Sequence, residues 1–345
     1  MLDLETASRS CPIASESLTD ALHDSCQVLI IGRGPAGSTC AALLAERGID
    51  LILLEKGQHP RFQIGEPLLP ANLPLFEQLG VADAIAAIGM KKDGVDFNSP
   101  SHPLPTHVEF AEARDKSMSS AWQVTRSEFD EILLRNAQAR SARVVKRCYV
   151  RDGITSVGAI PLTPNLAKRI KHARMSSDGN ATANYADQSS VSHGNQYMLL
   201  GDAYAFVDQV FSSGVFLAMQ NAFEAVDVIE ARLQKSPREA KAALRRFDCH
   251  MRRGPREFSW FNYRRTSPTM RELFIAPRSV LRVKEGLLPV LAGDIFRNRA
   301  IWPSTCGFKT IYYFDSMFHP RRTRPALRAR ANHLHEAKMP SAALP

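Results

Sequence analysis

The chain has 345 residues, enough to bury a sizeable core in one large or two modest domains. It is 44% hydrophobic and 23% charged, an ordinary globular balance, and no apolar run approaches the length that spans a bilayer. The six cysteines form no CxxC pair and stand near no histidine cluster, which argues against a disulfide framework and predicts no metal site.

The net charge of +9 is unevenly spread: residues 1–230 sum to −7 and residues 231–345 to +16. A basic half suits nucleic acid, an anionic membrane surface or an acidic carrier protein. No nucleic-acid-binding motif accompanies it, so no nucleic acid partner is expected, and a solvated basic face on arginine-rich helices is the simpler reading. Residues 1–25 read as a flexible leader. They are polar and acidic, without the basic-then-apolar order of a signal peptide, which predicts a cytoplasmic protein with no transmembrane segment.

In chain order, Gln27–Ile31 is an apolar run suited to a buried parallel strand. A glycine-rich turn follows, then a helical pattern from about Ala36 to Arg47 with Gly48 at its C-cap. Asp50–Leu54 is a second buried strand, completing a βαβ unit. Residues 67–90 read as a turn and helices, with strand-like pieces around Val95–Phe97 and Val108–Phe110. Ser127–Ala139 is an amphipathic helix carrying Phe129, Ile132, Leu133 and Ala137, and Val144-Val145 starts another strand. Ile154–Ile160 has strand character, and Met175–Asn195 reads as loop. Tyr197–Leu200 is expected as a strand running into Gly201-Asp202, with a long helix from about Gly214 to Arg232. The last third is helical and basic, with an aromatic cluster at Phe258, Trp260, Phe261 and Tyr263.

The first chemical signal is Gly32-Arg33-Gly34-Pro35-Ala36-Gly37, a GxGxxG between a strand and a helix. Gly32 permits the tight turn, Gly34 lets the backbone approach a pyrophosphate, and Gly37 lets helix and strand pack closely. The free N–H groups and dipole of the helix N-terminus favour the anion. Glu55 ends the second strand, 23 residues after Gly32, where an acid can accept hydrogen bonds from a ribose diol. Strand, turn, helix, strand and acid in that order indicate dinucleotide binding.

The second signal is Leu199-Leu200-Gly201-Asp202-Ala203, followed by Phe211-Ser212-Ser213-Gly214 and a helix. Together these segments resemble the FAD-dependent aromatic hydroxylases and, more closely, the flavin-dependent halogenases. Phe62–Pro70, read as FQIGEPLLP, is similar to the halogenases' GESLLP signature with Pro67 in place of serine. Gln123-Val124-Thr125-Arg126 before Phe129-Asp130 resembles the segment whose arginine contacts FAD. The resemblance covers residues 26–150 and 185–330. It implies an α/β fold: a Rossmann-type, glutathione-reductase-like FAD-binding domain with a reduced substrate domain and a helical C-terminal region. The expected divisions are 26–232 for the FAD-binding domain, with a truncated insert at about 92–197, and 233–345 for the helical basic region.

The resemblance implies site roles. Asp202 contacts the flavin ribityl chain, Gly201 beside it is cofactor-binding, Arg126 contacts FAD, and Ser213 and Gly214 bind halide, although Ser212 or Ser213 can equally cap the helix. Lys92 matches the lysine that holds, or is chlorinated by, hypohalous acid, although Lys91-Lys92-Asp93-Gly94 also reads as a solvated turn. The activity implied is halogenation or hydroxylation of an aromatic or conjugated small molecule, free or carrier-bound, by reduced FAD and O2. Reduced flavin comes from a separate reductase, or from NAD(P)H directly.

The pattern also departs from the family. The WxWxIP motif beside the halogenases' substrate tunnel is absent, and Trp122, Trp260 and Trp302 stand apart. Much of the substrate-domain sheet and the mid-chain Asp-Gly motif are missing, Asp152-Gly153 being a poor replacement. Phe211 stands where tryptophan halogenases have glutamate. The alternatives are therefore an impaired flavin-binding relic or paralogue and, third, a basic binding module acting through residues 231–345.

Overall fold

The computed structural model describes residues 25–57, 66–99, 102–112, 119–146, 148, 150–151, 154–155, 187–207, 212–264, 267, 269–270, 291–296 and 302–318. The expectations for the leader, residues 62–65, Asp152-Gly153, residues 156–186 and Phe211 lie outside them.

The chain opens with β1 (Val28–Ile31), α1 (Pro35–Glu46), β2 (Leu51–Glu55) and β3 (Glu66–Pro67). Next come α2 (Leu73–Leu79), α3 (Ala82–Ile88), β4 (Met90–Lys92), β5 (Gly94–Ser99), β6 (His102–Glu109) and β7 (Ala121–Val124). Then follow α4 (Arg126–Ala139), β8 (Arg143–Lys146), β9 (Val150–Arg151), β10 (Ile154–Thr155), β11 (Asp187–Gln188) and β12 (Ala205–Phe206). The C-terminal helices are α5 (Ser213–Gln234), α6 (Pro237–Asn262) and α7 (Trp302–Phe318). The chain divides into two compact units. The first is Met1–Ile64, Thr125–Ala183 and Ala222–Leu244, and the second is Gly65–Val124, Asn184–Asn221 and Arg245–Pro345.

In the first unit, β1, β2 and β8 form a parallel sheet in the order β1-β2-β8. Every residue of the central strand, Leu51-Ile52-Leu53-Leu54-Glu55, is buried. Parallel strands with both faces covered read as continuous apolar runs, which is why this segment shows no alternation. Pro35 supplies the fixed φ suited to a first helical position, and Gly48 ends α1 at φ 71°. α4 packs on α1 and buries Phe129, Leu133, Leu134 and Ala137. Each fully buried Leu or Phe contributes about 1.5–3 kcal/mol. Burial also pushes the Cys40 thiol up to about 12, in keeping with a small core residue on α1.

Two expectations are corrected here. β1 is only half-buried, and Ile31 at its end is 59% exposed. Among the described residues β1 is an edge strand with a neighbour on one side only, so it lacks the cover a central strand has. In the second unit Tyr197–Leu200 is not a strand. It closes a tight loop through a single bridge, His193 to Met198, with Leu199 N–H donating to Ser192 O at 2.8 Å. Without a paired ladder, an apolar run has no strand to join.

The second unit also holds the antiparallel sheet β3-β7-β4 and the β5–β6 hairpin. Its helical part is stapled by aromatic groups. Trp260 on α6 lies 5.3 Å from Tyr312 and donates its indole N–H to the Tyr313 hydroxyl at 3.1 Å. The Arg264 and Lys309 cations lie 4.6 and 5.1 Å from the Trp260 ring centroid. Among the described residues no helix is long and apolar enough to cross a membrane, and no group of His, Cys, Asp or Glu could hold a metal ion.

Candidate functional site

The glycine turn between β1 and α1 assigns each glycine a separate task. Gly32 sits at φ 93°, a left-handed conformation that side chains resist, and its N–H donates to Leu54 O at 2.8 Å. A Cβ on Gly37 would collide with the Gly32 carbonyl oxygen and meet Ile30 Cγ2 at 3.3 Å, so only glycine lets α1 approach β1 this closely. Gly34 is different. Its φ of −63° is ordinary, and nothing lies within 4 Å of where its Cβ would be. Neither conformation nor packing within the protein requires glycine there. The open space beside the helix N-cap is what a close-approaching ligand needs. No side chain caps α1, so its first-turn N–H groups remain for an anion.

Glu55 closes the other side of this turn. Its side chain is 4% exposed; one oxygen accepts the Arg33 N–H at 3.1 Å and the other the Gly57 N–H at 2.7 Å. Each carboxylate oxygen has a second lone pair, so the group retains acceptor capacity for a diol. The Arg33 carbonyl in turn accepts the Ser38 hydroxyl at 2.9 Å, tying the turn to α1.

Arg126, the first residue of α4, reaches both oxygens of Asp130 one turn along, at 3.2 and 3.3 Å. Asp130 is 2% exposed and fixes the guanidinium's orientation. Gly32, Gly34, Gly37, Glu55 and Arg126 all belong to the first unit.

The remaining expected residues belong to the second unit. Gly201 is buried at φ 56° and starts a single 3-10 turn, Gly201–Ala203, which presents Asp202 at the surface. Ser212, also left-handed at φ 53°, leads into α5. Ser213, the first residue of that 22-residue helix, is fully buried, and among the described residues its hydroxyl has no hydrogen-bond partner. At Gly214 nothing lies within 4 Å of a would-be Cβ.

Lys92 is not in a turn. It ends β4, paired with Ala121 of β7. Lys91 bonds Asp93 at 3.0 Å in solvent, whereas Lys92 is half-buried with its amine 5.6 Å from the Phe110 ring centroid. Strand alternation separates the two lysines. Burial holds the Lys92 amine below the ordinary lysine value.

Two side chains beside these residues were given no role of their own by the sequence. Arg33 is 1% exposed, with its guanidinium 3.6 Å from Glu131 of α4. The signal was a bulky cation inside a glycine turn that needs none. Asp130 was legible only as an i,i+4 partner of Arg126.

Residues 25–152 match the FAD binding domain family. A flavin-dependent halogenase of Armillaria mellea, armH4, is 37% identical over 131 residues, which are 37% of this chain and 25% of that protein. The matched segment thus spans about a quarter of the length of the curated relatives. Among solved structures, a flavoprotein/dehydrogenase from Cytophaga hutchinsonii superposes with a TM-score of 0.68 at 19% identity, covering 85% of this chain and 99% of its own. The flavin-dependent brominase Bmp2 gives 0.60 at 19%, covering 85% and 100%.

Proposed function

Since the chain carries an FAD binding domain on the fold shared by flavin-dependent halogenases and FAD-dependent monooxygenases, we propose that it is an FAD-dependent oxidoreductase acting on an aromatic or conjugated small molecule, by halogenation or hydroxylation. The observation that carries this reading is the glycine turn. Gly34 leaves room where a Cβ would otherwise stand, beside an uncapped helix N-terminus and the Glu55 carboxylate.

In this reading the first-turn N–H groups of α1 hold the pyrophosphate, Glu55 accepts the adenosine ribose hydroxyls, and Arg126, aligned by Asp130, contacts the cofactor. Asp202 is the ribityl contact, placed at the surface by the left-handed Gly201. Reduced FAD with O2 supplies the oxidising equivalents. Ser213 and Gly214 bind halide: a buried hydroxyl with an unused donor at a helix N-terminus suits an anion. Lys92 hydrogen-bonds and positions hypohalous acid, and burial lowers its basicity from the ordinary lysine value. A flavin reductase, or NAD(P)H directly, reduces the cofactor. The proposed boundaries are an FAD-binding domain over 26–232, with a reduced insert at about 92–197, and a helical basic region over 233–345.

A specific observation favours a second reading, a flavin-binding relic of impaired activity. Among the described residues the parallel sheet stops at β1, leaving Ile31 exposed. Oxidation chemistry of this kind needs a site that excludes water. A basic binding module ranks third. Its support is the exposed Arg245, Arg246, Arg252 and Arg256 on α6, and its check is salt-sensitive binding to anionic vesicles or nucleic acid.

The experiment is the visible spectrum of the purified chain after incubation with FAD and desalting, then assay with reduced FAD, O2 and bromide or chloride. Retained flavin and halide-dependent product support halogenation. Product indifferent to halide leaves hydroxylation. Retained flavin without turnover supports the relic, and no retained flavin overturns all three flavin readings.

A further inference from the structure

We propose that the C-terminal half of α7 is an interfacial anchor for an anionic lipid surface, its aromatic stripe entering the headgroup boundary and the arginine-rich sequence after it supplying the charge. The inference goes beyond the flavin reading and does not depend on it. It also differs from the basic-module reading, which needs charge alone.

Three observations carry it. First, the exposed apolar side chains are concentrated. Among the described residues ten large hydrophobics are exposed, and four of them lie within Tyr313–Phe318: Tyr313 at 51%, Phe314 at 56%, Met317 at 66% and Phe318 at 67%. Such residues scattered singly need no explanation, whereas a contiguous patch marks an interaction surface. Tyr313 and Met317 stand four apart on the helix, as do Phe314 and Phe318, so the four form one stripe. The Phe314 and Phe318 rings stack at 5.9 Å.

Second, another face of α7 is already packed. Phe308 and Tyr312 are buried, with their rings 5.5 Å from Phe261 and 5.3 Å from Trp260. The Tyr313 hydroxyl accepts N–H groups of Trp260 and Arg264, each at 3.1 Å. These contacts hold α7 on the end of α6 without using Phe314, Met317 or Phe318, so core packing does not account for the stripe.

Third, the charge beside the stripe selects its occupant. His319 to Arg330 carries Arg321, Arg322, Arg324, Arg328 and Arg330 and no acid. A second copy would bring like charge against like and be repelled. Anionic headgroups attract each arginine instead. Interfacial binding grows with buried apolar area plus attraction to anionic lipid, and this segment offers both.

The test is co-sedimentation of the full chain with phosphatidylcholine vesicles, plain or containing phosphatidylserine at about 30%. Wild type is expected to bind the phosphatidylserine vesicles at least about tenfold more tightly, and less so as salt rises. The double variant Phe314→Ser, Phe318→Ser should weaken that binding about tenfold or more. Its melting temperature should not change, because both side chains are more than half exposed. The triple variant Arg321→Gln, Arg322→Gln, Arg324→Gln should weaken binding about a hundredfold. Met90→Ser, which removes a 73% exposed side chain from β4, should leave it unchanged. Equal binding to both kinds of vesicle, or wild-type affinity in either the phenylalanine or the arginine variant, overturns the inference. So does a dimer in light scattering that the phenylalanine variant dissociates while vesicle binding persists, since the stripe then belongs to a second copy. Flavin retention is read on the same preparations: a chain that binds vesicles as expected but retains no flavin overturns the cofactor assignment and leaves the anchor standing.

Discussion

The Arg33 N–H donates to Glu55 Oε2 at 3.1 Å, across 22 residues of sequence. This bond joins the turn after β1 to the end of β2. The turn proposed to hold a pyrophosphate and the acid proposed to bind a ribose are therefore tied together, and Gly57 N–H holds the second Glu55 oxygen at 2.7 Å. The carboxylate thus has a structural role alongside the ligand-binding role proposed for it.

Glu55→Gln should reveal both roles. A glutamine has one oxygen, so its NH2 must face either the Arg33 or the Gly57 N–H. A donor then meets a donor in a buried place, at a cost of about 1–3 kcal/mol. Thermal or denaturant unfolding should show that loss, and the same variant should retain less flavin after desalting. Unchanged stability would mean the two backbone bonds are not made in solution.

The fingerprint glycines should separate folding from binding. Gly37→Ala forces a Cβ into the Gly32 carbonyl, and the chain can yield only by moving α1 off β1. It should lower the unfolding free energy by about 1–3 kcal/mol, as overpacking does. Gly34→Ala meets nothing in the protein and has an ordinary φ. It should leave the melting temperature near wild type while abolishing flavin retention. Flavin retained by Gly34→Ala would show that the backbone of residue 34 is not the phosphate contact.

Those two glycines show what was legible in the sequence. GxGxxG encodes local geometry, so the turn, α1, β2 and the place of Glu55 could be read from residues alone. Leu51–Leu54, buried on both faces, could be read for the same reason: its environment is uniform along the strand. Failure came where neighbours decide. Val28–Ile31 has the composition of a central strand but lacks a partner on one side among the described residues. Tyr197–Leu200 is apolar enough for a strand but makes a single bridge. Lys92 could be told from Lys91 only once β4 was paired with β7 and Phe110 was placed beneath the amine.

Ser213 should trade stability for anion binding. Its hydroxyl is buried without a hydrogen-bond partner among the described residues. Ser213→Ala removes that desolvated group at nearly constant shape and should stabilise the unliganded chain by about 1 kcal/mol. Added bromide should raise the melting temperature of the wild type but not of the variant. A wild type whose melting is indifferent to bromide, at matched ionic strength, would remove Ser213 from the halide assignment.

Lys92 should betray its burial through pH. Its folded-state pKa is lowered by desolvation, the one cause acting on it. The unfolded chain therefore binds the extra proton in the window between that lowered value and the ordinary lysine value of 10.5, and stability attributable to Lys92 rises with pH across it. Below the window the cost of holding the ammonium against Phe110 is present in full. Lys92→Met keeps the apolar stem, drops the charge and should be as stable as wild type or slightly more so at neutral pH. The same variant should lose halide-dependent product, because methionine can neither donate to hypohalous acid nor be chlorinated at nitrogen. NMR of the reductively 13C-methylated chain would follow the amine directly: the resonance missing from Lys92→Met should titrate below the ordinary lysine range. If it titrates at the ordinary value, the amine is solvated and its role as a tuned catalytic group falls.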